Sequence, residues 1–446
     1  MPPNRHWKPV DRIELDAFFG LLLLIGRFRE SRERKQDLWK TSDAFSRPFY
    51  TATMSRDRFI DILSYIRFDD STTREERKSK DKLAPLRDIT NIFAQNYKDS
   101  YDATAVGCVD EQLVTFRGRC SFKVYMPSKP GKYGIKIWTL CDSRTFYCCN
   151  MQVYLGKQGK APEKQQGQRV VKEMTDFWRN SGRCVTTDNF FTDISFAEYL
   201  LENKLFLIGT VRKNRRDLPK ILTQIQDRSI YSSYFLFTET ISLVSYIPKP
   251  RKCVVLLSTL HREHSISTAA ENFKPEIIKY YNSTKSGVDV LDKLVREYSC
   301  RRCTRRWPLS LFMHYIDIAA YSAFVIWHTK NPTWEVRHSS KMRRKLFLEE
   351  LAKKLTAKNI DRRASKFENE EGGLHANVAM AIEATGRKIV KKKKLAGHKR
   401  GRCCFCVGSN NKHQTVCDSC KKYVCKNHCT ENRTLLCNTC ANVNVE

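Results

Sequence analysis

The chain has 446 residues, with 80 lysines and arginines against 48 aspartates and glutamates, a formal charge of +32. That length exceeds the roughly 250–300 residues at which a single core stops growing, so more than one domain is expected. A charge of that size calls for a polyanionic partner, nucleic acid first among them.

No run reaches the roughly 18 consecutive apolar residues of a spanning helix, and the opening "MPPNRHWKPVD" lacks a secretory leader's charged start and apolar core. No membrane partner is expected, and the cytosol or nucleus is the expected location. Residues 11 to about 70 read as helical: "DRIELDAFFGLLLLIGRF" follows the start signal Asp11 with apolar residues recurring at three and four, and "SRDRFIDILSYIRF" repeats this after Ser55. The polar segment Asp69 to Pro85 reads as a linker or surface loop. From Val106 the texture changes to short β-branched and aromatic runs, "AVGCVDEQLVTF", "YGIKIWTLCD", "TFYCCNMQVYLG", "GRCVTTDN" and "LFLIGTVR", with helical patterns at "RVVKEMTDFW" and "DISFAEYLLENK". Such alternation indicates a mixed sheet covered by helices, an α/β fold. Residues 213 to about 275 interrupt it with a β-rich stretch, after which helix resumes at "GVDVLDKLVREYS" and from Leu309 to Lys330.

Of the 18 cysteines, nine fall between Cys403 and Cys440. Four pairs there share a two-residue spacer: Cys403 with Cys406, Cys417 with Cys420, Cys425 with His428, and Cys437 with Cys440. That spacer lets a tight turn aim both side chains at one tetrahedral ion, so two pairs close one zinc site and four pairs close two. First with third and second with fourth pair gives a cross-brace; sequential pairing gives two separate fingers. The four-residue gap from Cys420 to Cys425 favours the cross-brace. A ubiquitin-ligase RING fits poorly, because "CKNHC" is followed by a long gap to Cys437. The tail is too short to fold on its own core, so zinc is expected to be structural.

Asp110 is read as ending "AVGCVD" and Asp188 as ending "CVTTD", each an acid at the carboxyl end of a hydrophobic strand, where α/β active sites gather. Asp289 and Asp292 lie three apart in "SGVDVLDKL" and share one helix face. Carboxylates converging in a basic protein form a trap for two Mg²⁺ ions acting on a phosphodiester. Taken singly, Asp110 also reads as a turn acid, Asp188 as a helix N-cap, and Asp289 as a surface acid paired with Lys285 or Lys293.

In order along the chain, "VDEQLVTFRGRC", "PSKPGKYGIKIWTLCDS", "TTDNFFT", "IGTVRKNRRDLP", "YYNSTKSGVDVLDKL" and "RRWPLSLF" resemble the successive blocks of piggyBac-type transposases, and the Cys/His tail resembles their zinc domain. The resemblance implies a ribonuclease H-like catalytic core over 106–212 and 276–300, with the β-rich insertion at 213–275. It implies a helical dimerisation and DNA-binding region over 1–105 and 301–372, a basic linker at 373–402, and the zinc domain at 403–446. It assigns Asp110, Asp188 and Asp289 to a three-aspartate Mg²⁺ site, with Asp292 as a further acid beside it. It also implies cut-and-paste transposition into TTAA targets by a homodimer. Arg212, Arg215 and Arg216 fall on basic positions that the family uses on DNA, and Trp307 on a tryptophan packed against target DNA, with core packing as its plainer reading. Arg117, Arg119, Lys132 and Lys136 flank the first acid, and Arg305 and Arg306 precede Trp307; all are expected at DNA. "KKKK", Lys391 to Lys394, reads as a nuclear-import signal or a DNA-contacting tether. Family members usually carry a longer acidic amino-terminal segment, whereas this sequence starts close to its first helix. The alternatives from other classes are a host-adopted DNA-binding protein that no longer cuts and a chromatin reader built around the zinc tail.

Overall fold

In the computed structural model the described residues are 7–41, 45–157, 163–369, 376–389, 401–406, 411–432 and 434–437. Contacts divide the chain into two units, Met1–Asp361 and Arg362–Glu446. The first opens with helices α1 (Arg12–Arg27), α2 (Lys35–Leu38), α3 (Pro48–Thr53), α4 (Arg56–Tyr65), α5 (Arg74–Lys80) and α6 (Arg87–Asp99). Asp11 caps α1 by accepting the Glu14 N–H at 2.8 Å, and Leu21, Leu22 and Ile25 are buried, each contributing about 1.5–3 kcal/mol of transfer free energy. Helix α5 corrects the expectation of a loop between Asp69 and Pro85. It has no buried residue, so apolar periodicity could not reveal it. Charge organises it instead, through Arg74 and Arg77 on Asp69 and Lys80 on Glu76.

The core follows: β1 (Val106–Thr115), β2 (Val124–Tyr125), β3 (Tyr133–Asp142), β4 (Cys148–Val153), α7 (Gln166–Thr175), β5 (Cys184–Thr187), α8 (Ile194–Glu202), β6 (Phe206–Thr210), β7 (Ser233–Phe237), β8 (Ser242–Lys249) and β9 (Lys252–Ser258). They form one nine-stranded sheet ordered β2-β3-β1-β5-β6-β9-β8-β7, with β4 also on β3. Strand β3 runs antiparallel to both β4 and β1, and β5 and β6 continue parallel to β1, the ribonuclease H-like arrangement. The β-rich stretch continues this sheet, because β9 pairs with β6 from Ile208 against Ser258. Strand β1 outruns its expected end at Asp110. It pairs with β3 from Gly107 to Thr115, which leaves Asp110 in mid-strand.

Helices α9 (Glu276–Thr284), α10 (Gly287–Glu297), α11 (Trp307–Lys330) and α12 (Ser340–Asn369) follow. Among the described residues only α11 is long and apolar enough to cross a membrane by length and composition. Leu309 to Ile318 are all buried, as in a helix that runs through a protein core. The second unit holds α13 (Ala376–Glu383), inside the stretch expected as a linker. It also holds two two-stranded ribbons, β10 (Gly401–Arg402) with β11 (Lys412–His413) and β12 (Cys429–Asn432) with β13 (Thr434–Cys437).

Candidate functional site

Parallel pairing matches Val109 of β1 with Thr187 of β5, on strands about 4.8 Å apart, so Asp110 in β1 and Asp188, the first residue past β5, are brought side by side. Helix α10 packs across β1. Its close approach depends on Gly287, where a Cβ would stand 2.9 Å from the Cys108 Cβ, and the Cys108 thiol donates to the Lys285 carbonyl at 3.1 Å. Side chains two apart on a strand share a face, so Cys108, Asp110 and Gln112 look the same way. Gly287 meets Cys108, and Gln112 donates to Asp292 Oδ1 at 2.7 Å while accepting from Thr139 at 3.0 Å. Asp289 lies between these contacts. Asp110, Asp188 and Asp289 line a single cleft of about 190 Å³ with Thr186, Thr187, Tyr281, Lys285 and Ser286.

The acids are not equivalent. Burial, and then the neighbouring Glu111 carboxylate, push Asp110 up to about 7, with Lys129 opposing and Asp188 adding to the rise. Burial pushes Asp292 up to about 6 against Lys129, Arg296 and Gln112. Asp292 is not among the residues lining the cleft. Asp289 keeps 64% of its side chain exposed, and its partner is Lys129 Nζ at 3.2 Å rather than Lys285 or Lys293. Asp188 Oδ1 accepts the Phe190 N–H at 2.9 Å in the turn after β5; the cap of α8 is Asp193, which accepts from Phe196. Lys129 is a site residue that the sequence reading missed, although it stands in the quoted block "PSKPGKYG". Three carboxylates converging on one cleft are an oxygen donor set suited to hard divalent cations.

The basic residues expected at DNA divide into two groups. Arg117, Arg119, Lys132, Arg212, Arg216 and Arg305 are exposed, and Arg212 also lies over the Phe190 ring at 5.7 Å. The others have internal partners. Arg215 pairs with Asp193 and with Asp217. Arg306 donates to the carbonyls of Leu63, Ser64 and Ile66 at the end of α4. Lys136 lies 3.6 Å from Glu111 and 3.6 Å above the Trp138 ring, and burial lowers its pKa. Trp307 begins α11 and sets its ring edge-to-face on Phe122 at 5.0 Å.

In the second unit, the ligand atoms of Cys403, Cys406, Cys425 and His428 lie within 4.8 Å of one another, as do those of Cys417, Cys420 and Cys437. The first pair joins the third, and the second joins Cys437 of the fourth: this is the cross-brace order. Cys406 and Cys425 sulfurs are 3.7 Å apart and Cys420 and Cys437 sulfurs 3.5 Å, close to the roughly 3.7 Å edge of a tetrahedron with bonds of about 2.3 Å. Although burial raises the Cys403 thiol, hydrogen bonds from the backbone at Phe405 and Cys425 and from His428 bring it down to about 6, toward the thiolate that a metal needs. Cys440 and Lys391 to Lys394 lie outside the described residues.

A ribonuclease H-like sheet with acids at its β1–β5 junction and on the helix crossing it, followed by a cross-brace of cysteines, defines the architecture of a transposase. Residues 1–324 match the family described as Transposase IS4, and the chain belongs to that family. Within it the chain is of the piggyBac type. It is similar to a piggyBac transposase solved by cryo-EM as a synaptic complex with hairpin DNA, at a TM-score of 0.80 and 33% identity over 99% of this chain and 91% of that one. PiggyBac transposable element-derived protein 3 of Homo sapiens is 23% identical over 334 residues, 71% of this chain and 55% of that protein. PiggyBac transposable element-derived protein 2 of Homo sapiens is 23% identical over 328 residues, 70% and 54% respectively. The chain thus spans about half the length of these two relatives.

Proposed function

We propose that this chain is a DNA transposase that cuts an element out of double-stranded DNA and joins it to a TTAA target. The observation that carries this reading is the convergence of Asp110, Asp188 and Asp289 on one cleft, from two adjacent strands and the helix that crosses them. The similarity to a transposase held in a complex with hairpin DNA supports the substrate class.

Two Mg²⁺ ions held by these three carboxylates would supply an activated attacking oxygen and a stabilised leaving oxygen. The protein's share is placement. Gly287 lets α10 approach β1 and so fixes Asp289, Gln112 holds Asp292 inside, and the turn after β5 holds Asp188 at the mouth. Each step is an in-line phosphoryl transfer. Water cuts one strand, the freed 3′-hydroxyl attacks the other to close a hairpin, water reopens it, and the 3′-end joins target DNA. One cleft serves every step in turn. Exposed Arg117, Arg119, Lys132, Arg212, Arg216 and Arg305 are the cations for backbone phosphates, and Trp307 packs beside target DNA through α11. Two Zn²⁺ ions brace the tail, with Cys440 completing the second set. Two copies pair the element's two ends, and the chain acts in the nucleus.

Cleavage of a terminal-repeat substrate in Mg²⁺ tests the reading, with Asp289→Ala as the control. The wild type should cut and the variant should bind DNA without cutting. A wild type that binds its own terminal repeats and never cuts them would establish the silent DNA-binding alternative instead.

A further inference from the structure

The loop between β2 and β3 brings Lys129 to the carboxylate cleft. Met126 donates to the Lys132 carbonyl at 2.6 Å and Lys132 to the Lys129 carbonyl at 3.0 Å. Gly131 is pressed against the end of β1, where a Cβ would meet Thr115 Oγ1 at 2.6 Å. Pro130 disfavours a helical backbone at Lys129. The Lys129 side chain is only 18% exposed and reaches Asp289 Oδ1 at 3.2 Å, with Asp110 and Glu111 as its further electrostatic neighbours. Lys285 lines the cleft, but it donates to Asn282 at 2.7 Å and is exposed.

We propose that the Lys129 ammonium is a built-in counter-ion of the carboxylate cleft, one that holds Asp289 and Asp110 together in the absence of a divalent cation and must withdraw before one binds. The inference rests on reading the three acids as a metal site. A cation a few ångströms from a carboxylate repels a second cation at the same carboxylate, so Lys129 lowers the affinity of the cleft for free metal. It also keeps the acids from facing one another unpaired, a costly state in a partly desolvated site. The four-carbon stem lets the ammonium swing to an anion, and a DNA phosphate over the cleft is such an anion. Metal loading is thereby coupled to DNA: the polyanion that requires the metal also draws away the group that excludes it.

Calorimetric titration of Mn²⁺ alone into the full zinc-loaded chain, without DNA, tests this, with Asp289→Ala as the blank. Lys129→Met should bind Mn²⁺ about tenfold more tightly than wild type, while Lys129→Arg, which keeps the charge, stays close to wild type. In magnesium-free buffer Lys129→Met should melt below wild type, and saturating Mg²⁺ should close the gap. If Lys129→Met does not fold without metal, Lys129→Gln carries the titration. Equal or weaker Mn²⁺ binding by the neutral variants would overturn the counter-ion assignment alone. Wild-type binding indistinguishable from Asp289→Ala would overturn the metal reading beneath it.

Discussion

Replacing Asp110 with Asn should stabilise the metal-free protein at alkaline pH. Burial first, then Glu111, push this carboxyl from 3.8 to about 7. A carboxyl whose pKa is higher folded than unfolded favours the fold while protonated. Its stability contribution is greatest below about 3.8, declines as pH rises toward about 7, and is flat beyond. The span from 3.8 to about 7 corresponds, at about 1.4 kcal/mol per pKa unit, to about 4 kcal/mol against the charged fold. That is an upper bound. Asp110 is half-buried and the cleft opens to solvent, so screening leaves about 2 kcal/mol as the working figure. Asn removes the charge and keeps the shape. Urea unfolding in metal-depleted buffer should therefore show Asp110→Asn more stable than wild type, with a gap that widens from pH 5 to pH 8. Added Mg²⁺ should stabilise wild type and leave the variant unmoved. A variant equal to or less stable than wild type at pH 8 without Mg²⁺ would refute the idea that a buried Asp110 charge beside Glu111 strains this cleft.

Arg305 and Arg306 should separate cleanly. Arg306→Ala removes donors from the carbonyls of Leu63, Ser64 and Ile66 and should cost about 1–3 kcal/mol in urea unfolding; Arg305→Ala should leave stability unchanged and lower the salt slope of DNA binding by about one. Arg212 and Arg215 should divide the same way in melting and DNA-binding assays: Arg215→Ala lowers the melting temperature because Asp193 and Asp217 lose their partner, and Arg212→Ala weakens DNA binding alone. In the tail, Cys425→Ser breaks the set with Cys403, Cys406 and His428 and should reduce zinc from about two ions per chain to about one by a metal-release assay. Hydrogen exchange should then quicken in Lys412–His413 while β1 keeps its protection.

Local signals were legible where burial is periodic or spacing is tight. The strands from Val106 onward alternate or run apolar because both faces of the sheet are covered, and two-residue spacers with a short gap between Cys420 and Cys425 foretell the cross-brace. Features set by partners far along the chain were not legible. Arg306 looks like any exposed arginine until the end of α4, some 240 positions earlier, presents its carbonyls. Arg215 looks like a phosphate contact until α8 places Asp193 beside it. Lys129 sits in an aperiodic Lys-Pro-Gly loop, and only the β2–β3 connection carries it to Asp289, 160 positions away. Helix α5 has no apolar stripe to read.

The two aspartates of α10 show how one local pattern divides into two roles. A spacing of three puts both on one face, and sequence alone treats them alike. That face crosses β1, whose side chains at Cys108, Asp110 and Gln112 advance about 6.6–6.8 Å per pair of residues, while three residues of helix rise about 4.5 Å. Asp292 therefore meets Gln112, which donates to it at 2.7 Å and holds it away from the cleft. Asp289, with no such amide opposite, is left beside Asp110 with 64% of its side chain open and a lysine as its partner. The same charge at both positions is tolerable because each is offset differently, Asp292 by the nearby Lys129 and Arg296 charges and an amide that satisfies its oxygen, Asp289 by an ammonium on a movable stem. Only the second arrangement leaves a carboxylate that a divalent cation can reach.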